Sequence, residues 1–397
     1  MKWPVMFSIG FRPWFLVLLG TGSLLLGGWG VSWFAAATAT NMNVALLPSL
    51  LDWRWHAHEM IFGLGIALLA GFLLTAVQNW TGRRPLSPAW LFVSVLVWLI
   101  TRVVYLLGGV HIPLAYVLSA MPAFMVGMAI LRVIAMTRQW HNLIFPVSLI
   151  LLAVLDVYFG VQIDSGDLLG HVAILGLWPV LGIVFFIAQR ILPAFTAGRA
   201  GIRPQSMGNT GAVIFSAGPV LLLLLNVLPQ FQGQNTLLGV TAVIIVLSGL
   251  WGVWRWWHPI VLREPMLLII YSGFVLTLTG LALMGISWLL FTTGNTGTFW
   301  LDAGVHGVGI GILGVMGPGM LLRVSAGHTG RPIVMPVWLR WFFVAAVGIW
   351  LMRVVAPWFG YNPWLLFASA WGLAAVYLAL LFGIAGWLIK PRVDGRH

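Results

Sequence analysis

Apolar runs of about twenty residues, separated by short polar joints, fill almost the whole chain. A helix rises about 1.5 Å per residue, so a run of that length covers the hydrocarbon core of a bilayer. The pattern predicts twelve spans, at 14–36, 58–79, 89–108, 113–135, 142–161, 168–190, 208–228, 237–257, 265–290, 301–323, 334–355 and 364–389. Pro and Gly mark the joints, as in "TGRRPLSP", "AGRAGIRP" and "TGRPIVMP", and no joint is long enough for a soluble domain. The expected fold is an all-α polytopic membrane protein, a single transmembrane domain over residues 1–397. The opening "MKWPVMFSIGFRPWF" has no small-residue cleavage site after a short apolar core, so the first run is expected to be a retained span.

The polar positions orient this array. With a cytoplasmic N-terminus, every Lys and Arg but Arg54, Arg102 and Arg353 falls toward the inner side, as the positive-inside rule requires. Both termini are then cytoplasmic. The acidic and histidine residues obey a second pattern at the outer ends of spans 2, 6 and 10. Asp52 precedes His56 by four residues, Asp167 precedes His171 by four, and Asp302 precedes His306 by four. Composition alone predicts about 0.2 such pairs in the chain. A further echo links spans 2 and 10: His58 and His306 are each followed 23 residues later by Thr-Gly-Arg, at 81–83 and 329–331. Span 6 has a looser version, "TAGR", at 196–199. The spacing predicts three four-helix pseudo-repeats, approximately 1–138, 139–258 and 259–397.

Composition removes several function classes. The 397 residues are 61% hydrophobic and only 7% charged, against about a quarter charged in soluble domains. Lipid must therefore solvate most of the surface. The net charge of +12 comes from Arg residues scattered singly between apolar runs, not from a basic face, so nucleic acid is not an expected partner. The chain has no cysteine. Disulfides, thiolate metal sites, iron–sulfur clusters and covalent C-x-x-C-H haem attachment are excluded.

What remains is histidine chemistry at the edge of the membrane. A neutral imidazole is a common metal and haem ligand, and an Asp one turn earlier can hold its other ring N–H and fix the tautomer. His56, His58, His171 and His306 are the candidate metal ligands, with Asp52, Asp167 and Asp302 behind them. Each pair alone also reads as a helix cap beside a headgroup anchor. On a regular helix His56 and His58 point about 200° apart, so "WHAHEM" is expected to serve two sites. Glu59, Met60 and Gly63 share the face of His56, while Phe62 and Gly65 share that of His58. Glu59, the only glutamate well inside a span, is a candidate proton donor or metal ligand, or the partner of Arg54 or Arg102 in a salt bridge. Arg54, Arg102 and Arg353 suit outward-pointing carboxylates such as haem propionates. Gly304, Gly307, Gly311 and Gly314 form a smooth stripe on span 10, open to a neighbouring helix or to a haem plane.

The stretches "FRPWF" (11–15), "WHAHEMIFG" (55–63), "GFLLTAVQNWTGRRPLS" (71–87), "RILPAFT" (190–196) and "RVSAGHTGR" (323–331) resemble the NnrS family. That family comprises polytopic bacterial membrane proteins containing haem and copper and linked to nitric oxide stress and denitrification. The resemblance implies non-covalent haem b, copper and nitric oxide here, in the bacterial inner membrane with the metal sites near its periplasmic side. Relatives often carry a His early in span 9, where this chain has Tyr271. Twelve spans with outer histidines on spans 2, 6 and 10 also resemble the haem–copper oxidases and their nitric oxide reductase relatives. Span 7 has no histidine, however, and the H-x-H lies on span 2 and not span 10.

These features point to a haem- and copper-containing oxidoreductase that reduces or detoxifies nitric oxide. His58 and His306 would hold haem, copper would sit near His56, His171 and either Glu59 or Met60, Glu59 would pass protons, and a membrane or periplasmic donor would supply electrons. A non-catalytic nitric oxide or metal binder uses the same ligands. A twelve-helix transporter is the third reading, disfavoured because the ionisable residues gather at one surface and not near the midplane.

Overall fold

The computed structural model describes residues 3–38, 52–108, 112–165, 167–290 and 294–395. Its elements are all helical, with no strand among the described residues. Among the described residues twelve helices are long and apolar enough to cross a membrane: α1 Phe11–Thr38, α2 Trp53–Thr81, α3 Pro88–Leu106, α4 Leu114–Thr137, α5 Trp140–Val161, α6 Gly170–Ala200, α7 Asn209–Val227, α8 Gln234–Trp256, α9 Pro265–Leu290, α10 Thr296–His328, α11 Val337–Phe359 and α12 Pro363–Ile389. The number matches the hydrophobic pattern. The ends of α2, α6 and α10 do not, because helix continues past the apolar core into polar turns. His56 thus lies inside α2, and "TAGR" lies within α6 and not at its cap. The left-handed residue after α6 is Gly201, at φ +68°.

Burial ranks the helices. The apolar windows of α2, α6 and α10 are 78%, 83% and 72% buried, against at most 61% in the other nine. These are the helices that carry the Asp-x-x-x-His pairs. Lipid-facing helices can be apolar all round, so only protein contact explains polar residues on these three.

The chain forms two compact units, one of Met1–Val180, Leu321–Ile333 and Tyr377–His397, the other of Leu181–Met320 and Val334–Val376. In the first, the "FRPWF" motif ties α1 to two neighbours. The Phe11 N–H donates to Thr75 Oγ1 at 3.0 Å. The buried Arg12 guanidinium donates through Nη1 to the carbonyls of Trp387, Leu388 and Lys390 at 3.1, 3.0 and 2.7 Å. Those carbonyls end α12 and have no helical partner, so a cation there answers both hydrogen bonding and the helix dipole. α2 ends at Gly82, in the left-handed region at φ +67°, and Thr81 Oγ1 donates back to Val77 O at 2.6 Å. The last turn of α10 repeats this: Gly330 lies at φ +74° and Thr329 Oγ1 donates to Ser325 O at 2.6 Å. The Thr-Gly-Arg echo is therefore a shared helix stop.

In the second unit the glycine stripe of α10 is filled by α9. A Cβ on Gly280 would meet the Val308 backbone nitrogen at 2.3 Å, and one on Gly307 would meet the Gly280 Cα at 2.8 Å. Gly311 faces Thr277 in the same way. The stripe is a helix–helix seam, which leaves no room for a macrocycle along those residues.

Candidate polar sites at the ends of α2 and α10

Two clusters of ionisable side chains form, one in each unit. The first lies where α2 loosens into a π-helical stretch, Glu59–Gly65, and in α10 a second such stretch, Gly311–Met316, begins beyond the regular turns that carry Asp302 and His306. Such stretches are rare and favour functional positions, because the wider turn redirects side chains and frees carbonyls. A tryptophan from the following helix donates to a carbonyl beside each cluster: Trp98 Nε1 to Gly63 O, within the π stretch of α2, at 3.2 Å, and Trp350 Nε1 to Gly307 O, ahead of the π stretch of α10, at 2.8 Å. One turn beyond each tryptophan stands an arginine, Arg102 or Arg353, aimed at the cluster.

In the first unit His58, Glu59, Asp156 and Arg102 form a quartet, none more than 2% exposed. His58 Nδ1 lies 3.1 Å from Glu59 Oε1, and Nε2 lies 2.7 Å from Asp156 Oδ1. Arg102 Nε stands 3.2 Å from Glu59 Oε2, while its Nη2 donates to Ser119 Oγ at 2.8 Å. Rings of Tyr105, Tyr116, Phe62 and Phe159 surround the imidazole, with centroids 4.6 to 5.6 Å away. Four consecutive helices, α2 to α5, meet here. Gly63 makes the space: a Cβ there would lie 2.8 Å from Glu59 Oε2 and 2.9 Å from Arg102 Nη1.

Several expectations for α2 are met and others are redirected. His58 and Phe62 share a face, as do Glu59 and Gly63, and Glu59 pairs with Arg102. His56, however, does not share a site with Glu59. Its ring stacks on Trp29 of α1, with centroids 4.4 Å apart and planes 12° apart. Asp52 caps the helix, accepting from the Arg54 N–H at 2.9 Å, and its carboxylate lies 3.7 Å from the Arg54 guanidinium.

Asp156 was absent from the sequence expectations. The signal was present: a lone acid in the apolar run "LLAVLDVYFG" of α5, a placement lipid penalises unless a partner waits.

In the second unit Asp302, His306, Arg353 and Tyr361 meet. His306 Nδ1 is 3.1 Å from Asp302 Oδ1, the arrangement expected of a carboxylate one turn earlier. Arg353 donates to both oxygens of Asp302, at 3.0 and 3.3 Å, and its Nη2 approaches His306 Nε2 at 2.9 Å. A guanidinium only donates, so Nε2 accepts and the ring proton sits on Nδ1, facing Asp302. Tyr361 bonds Asp302 from the loop between α11 and α12. Burial, then the Asp302 charge and hydrogen bond, push its hydroxyl up to about 12, with Arg353 opposing. Tyr361 is also one of two non-glycine residues with positive φ among the described residues, at 53°, a conformation that needs outside support. Asp302 and His306 are about a quarter exposed, so this cluster is open where the first is closed.

The third pair is less complete. His171 lies half-buried near the start of α6, in the first unit, and the side chain of Asp167 lies outside the described residues. His111 also lies outside them. His328 ends α10, its carbonyl accepting from Arg392 at 3.0 Å and its ring 5.7 Å from Phe11. Tyr271 is buried and its hydroxyl is used structurally, 2.9 Å from Thr196 Oγ1 and donating to Trp256 O at 3.1 Å. Among the described residues no three His, Asp or Glu side chains are arranged to hold a metal ion together.

A sequence model of one protein family, described as NnrS protein, matches residues 5–392. No curated protein matches the chain.

Proposed function

The chain belongs to the NnrS family, and on that premise we propose that it is a multi-pass inner-membrane oxidoreductase that reduces or detoxifies nitric oxide. The observation that carries this reading is the match across residues 5–392. It brings with it the expectation of haem b and copper, a redox pair that would supply a gas-binding, electron-accepting centre.

The two clusters fit such a group unequally. His306 fits a ligand's role. Asp302 fixes its Nδ1 proton, so Nε2 is the nitrogen with the lone pair. A metal at Nε2 would replace one hydrogen bond of Arg353, which keeps its two bonds to Asp302. Arg353 would then place a positive charge beside the centre, suited to a propionate or another anion. His58 does not fit, because each of its ring nitrogens already faces a buried carboxylate, and no step is assigned to a metal there. His171 is the remaining candidate for a copper ligand. The arginine distribution supports a periplasmic position for the outer ends of α2, α6 and α10, with both chain termini in the cytoplasm.

The test is an anaerobic optical spectrum of the detergent-purified protein, oxidised, reduced, and reduced under nitric oxide, with metal analysis on the same sample. The reading predicts a Soret band that shifts with nitric oxide, stoichiometric copper, and loss or displacement of the band in folded His306→Gln protein. Folded wild-type protein with neither haem nor copper would overturn it.

A further inference from the structure

The quartet in the first unit calls for a different ligand. His58 is 2% exposed, and its two ring nitrogens lie 3.1 and 2.7 Å from Glu59 Oε1 and Asp156 Oδ1. A neutral imidazole has one N–H and one lone pair. Between two ionised carboxylates it would satisfy one and set lone pair against lone pair at the other, deep in an apolar surrounding where an unmade hydrogen bond is costly. A ring with two N–H groups satisfies both. We propose that His58 is a proton-binding centre, held as an imidazolium by Glu59 and Asp156, and not a metal ligand.

Charge balance agrees. With both carboxylates ionised, the imidazolium and the Arg102 guanidinium bring the quartet to zero, whereas a neutral His58 between the same two carboxylates leaves a net negative charge buried among apolar helices. Ion groups in the membrane interior persist when they are paired in this way. The aromatic box agrees as well. The Tyr105 ring lies 4.6 Å from the imidazole centroid and 5.4 Å from the Arg102 guanidinium carbon, so it borders both cations. Tyr116, Phe62 and Phe159 complete the enclosure and bring no competing charge. The groups that face His58 from α2, α3, α4 and α5 are thus Glu59, Arg102 with Tyr105, Tyr116, and Asp156. Asp156 Oδ2 and Arg102 Nη1 are buried without hydrogen-bond partners among the described residues. Each is a point where internal water can join the quartet to a proton path.

The experiment is nitrogen NMR on full-length protein carrying 15N-labelled histidine, at neutral pH. The His58 signals are identified by their loss in His58→Gln, or by their movement in Asp156→Asn if the first variant does not fold. Two protonated ring nitrogens with closely similar shifts are expected. In Asp156→Asn the ring is expected to lose one proton and give a widely split pair. Haem and copper content, where the wild type contains them, should be unchanged in folded His58→Gln protein. A neutral His58 ring in the wild type would overturn the proposal, as would loss of metal from folded His58→Gln. Failure to find haem or copper in the wild type bears on the nitric oxide reading alone, since the NMR result does not depend on metal.

Discussion

Replacing Gly63 by alanine adds one methyl group at the tightest point of the first unit's quartet. The new Cβ would stand 2.8 Å from Glu59 Oε2, 2.9 Å from Arg102 Nη1 and 3.3 Å from Glu59 Cδ, where ordinary contact begins at 3.4 Å. Neither neighbour can retreat cheaply. Glu59 is held from the other side by His58, and Arg102 by Ser119, with its guanidinium carbon 5.2 Å from the Trp98 ring. If the cluster yields without breaking, the cost is that of an overpacked core, about 1–3 kcal/mol. If the ion pair separates, a buried charge loses its partner and the cost rises to about 3–5 kcal/mol. Alanine recovers up to about 1 kcal/mol of helix propensity. The net expectation is a loss of up to about 2 kcal/mol if the cluster yields intact and about 2–4 kcal/mol if the ion pair separates. Gly20→Ala is the internal control, since a Cβ on that α1 glycine meets nothing within 4 Å, and it should be neutral or stabilising. Thermal unfolding of the two variants in detergent, followed by size-exclusion recovery and tryptophan fluorescence, reads the difference. Gly63→Ala protein as stable as Gly20→Ala would refute the packing of the quartet.

Three further outcomes are expected. Tyr271→Phe removes the hydroxyl shared by Thr196 and the Trp256 carbonyl and should destabilise by about 1–3 kcal/mol, leaving any haem spectrum unchanged; a lost Soret band would return this position to the site. Arg12→Ala should cost about 2–4 kcal/mol, since three carbonyls at the end of α12 lose a charged donor, and limited proteolysis should cut the C-terminal segment faster. The Tyr361 hydroxyl is raised to about 12, so the folded state keeps a proton that the unfolded state loses above pH 10. Its contribution should be complete below about pH 10 and fall as pH rises toward 12; Tyr361→Phe should flatten that part of a stability-against-pH curve.

Much of this was legible in the sequence because membrane helices obey a few strong rules. Apolar run length gave the twelve spans, and the Thr-Gly-Arg echo marked two equivalent helix stops. The Asp302–His306 contact follows from one turn of regular helix. Reading failed where partners come from other helices. His56 stacks on Trp29 of α1 while Glu59 pairs with Arg102 of α3, a division that spacing within α2 does not encode. Asp156 reaches His58 across 98 residues of chain, a distance no local spacing encodes. The glycine stripe of α10 could equally have faced a helix or a macrocycle, and only its partner α9 decides between them.

The proposal that this membrane protein acts on nitric oxide is tested most directly by turnover. Purified protein, reduced with an artificial electron donor under argon, would receive 15N-labelled nitric oxide while an electrode follows the gas and mass spectrometry follows the products. The account predicts catalytic loss of nitric oxide with doubly labelled nitrous oxide appearing, and its abolition in His306→Gln. Nitric oxide that persists, or that binds once per protein without turning over, would contradict the reductase reading.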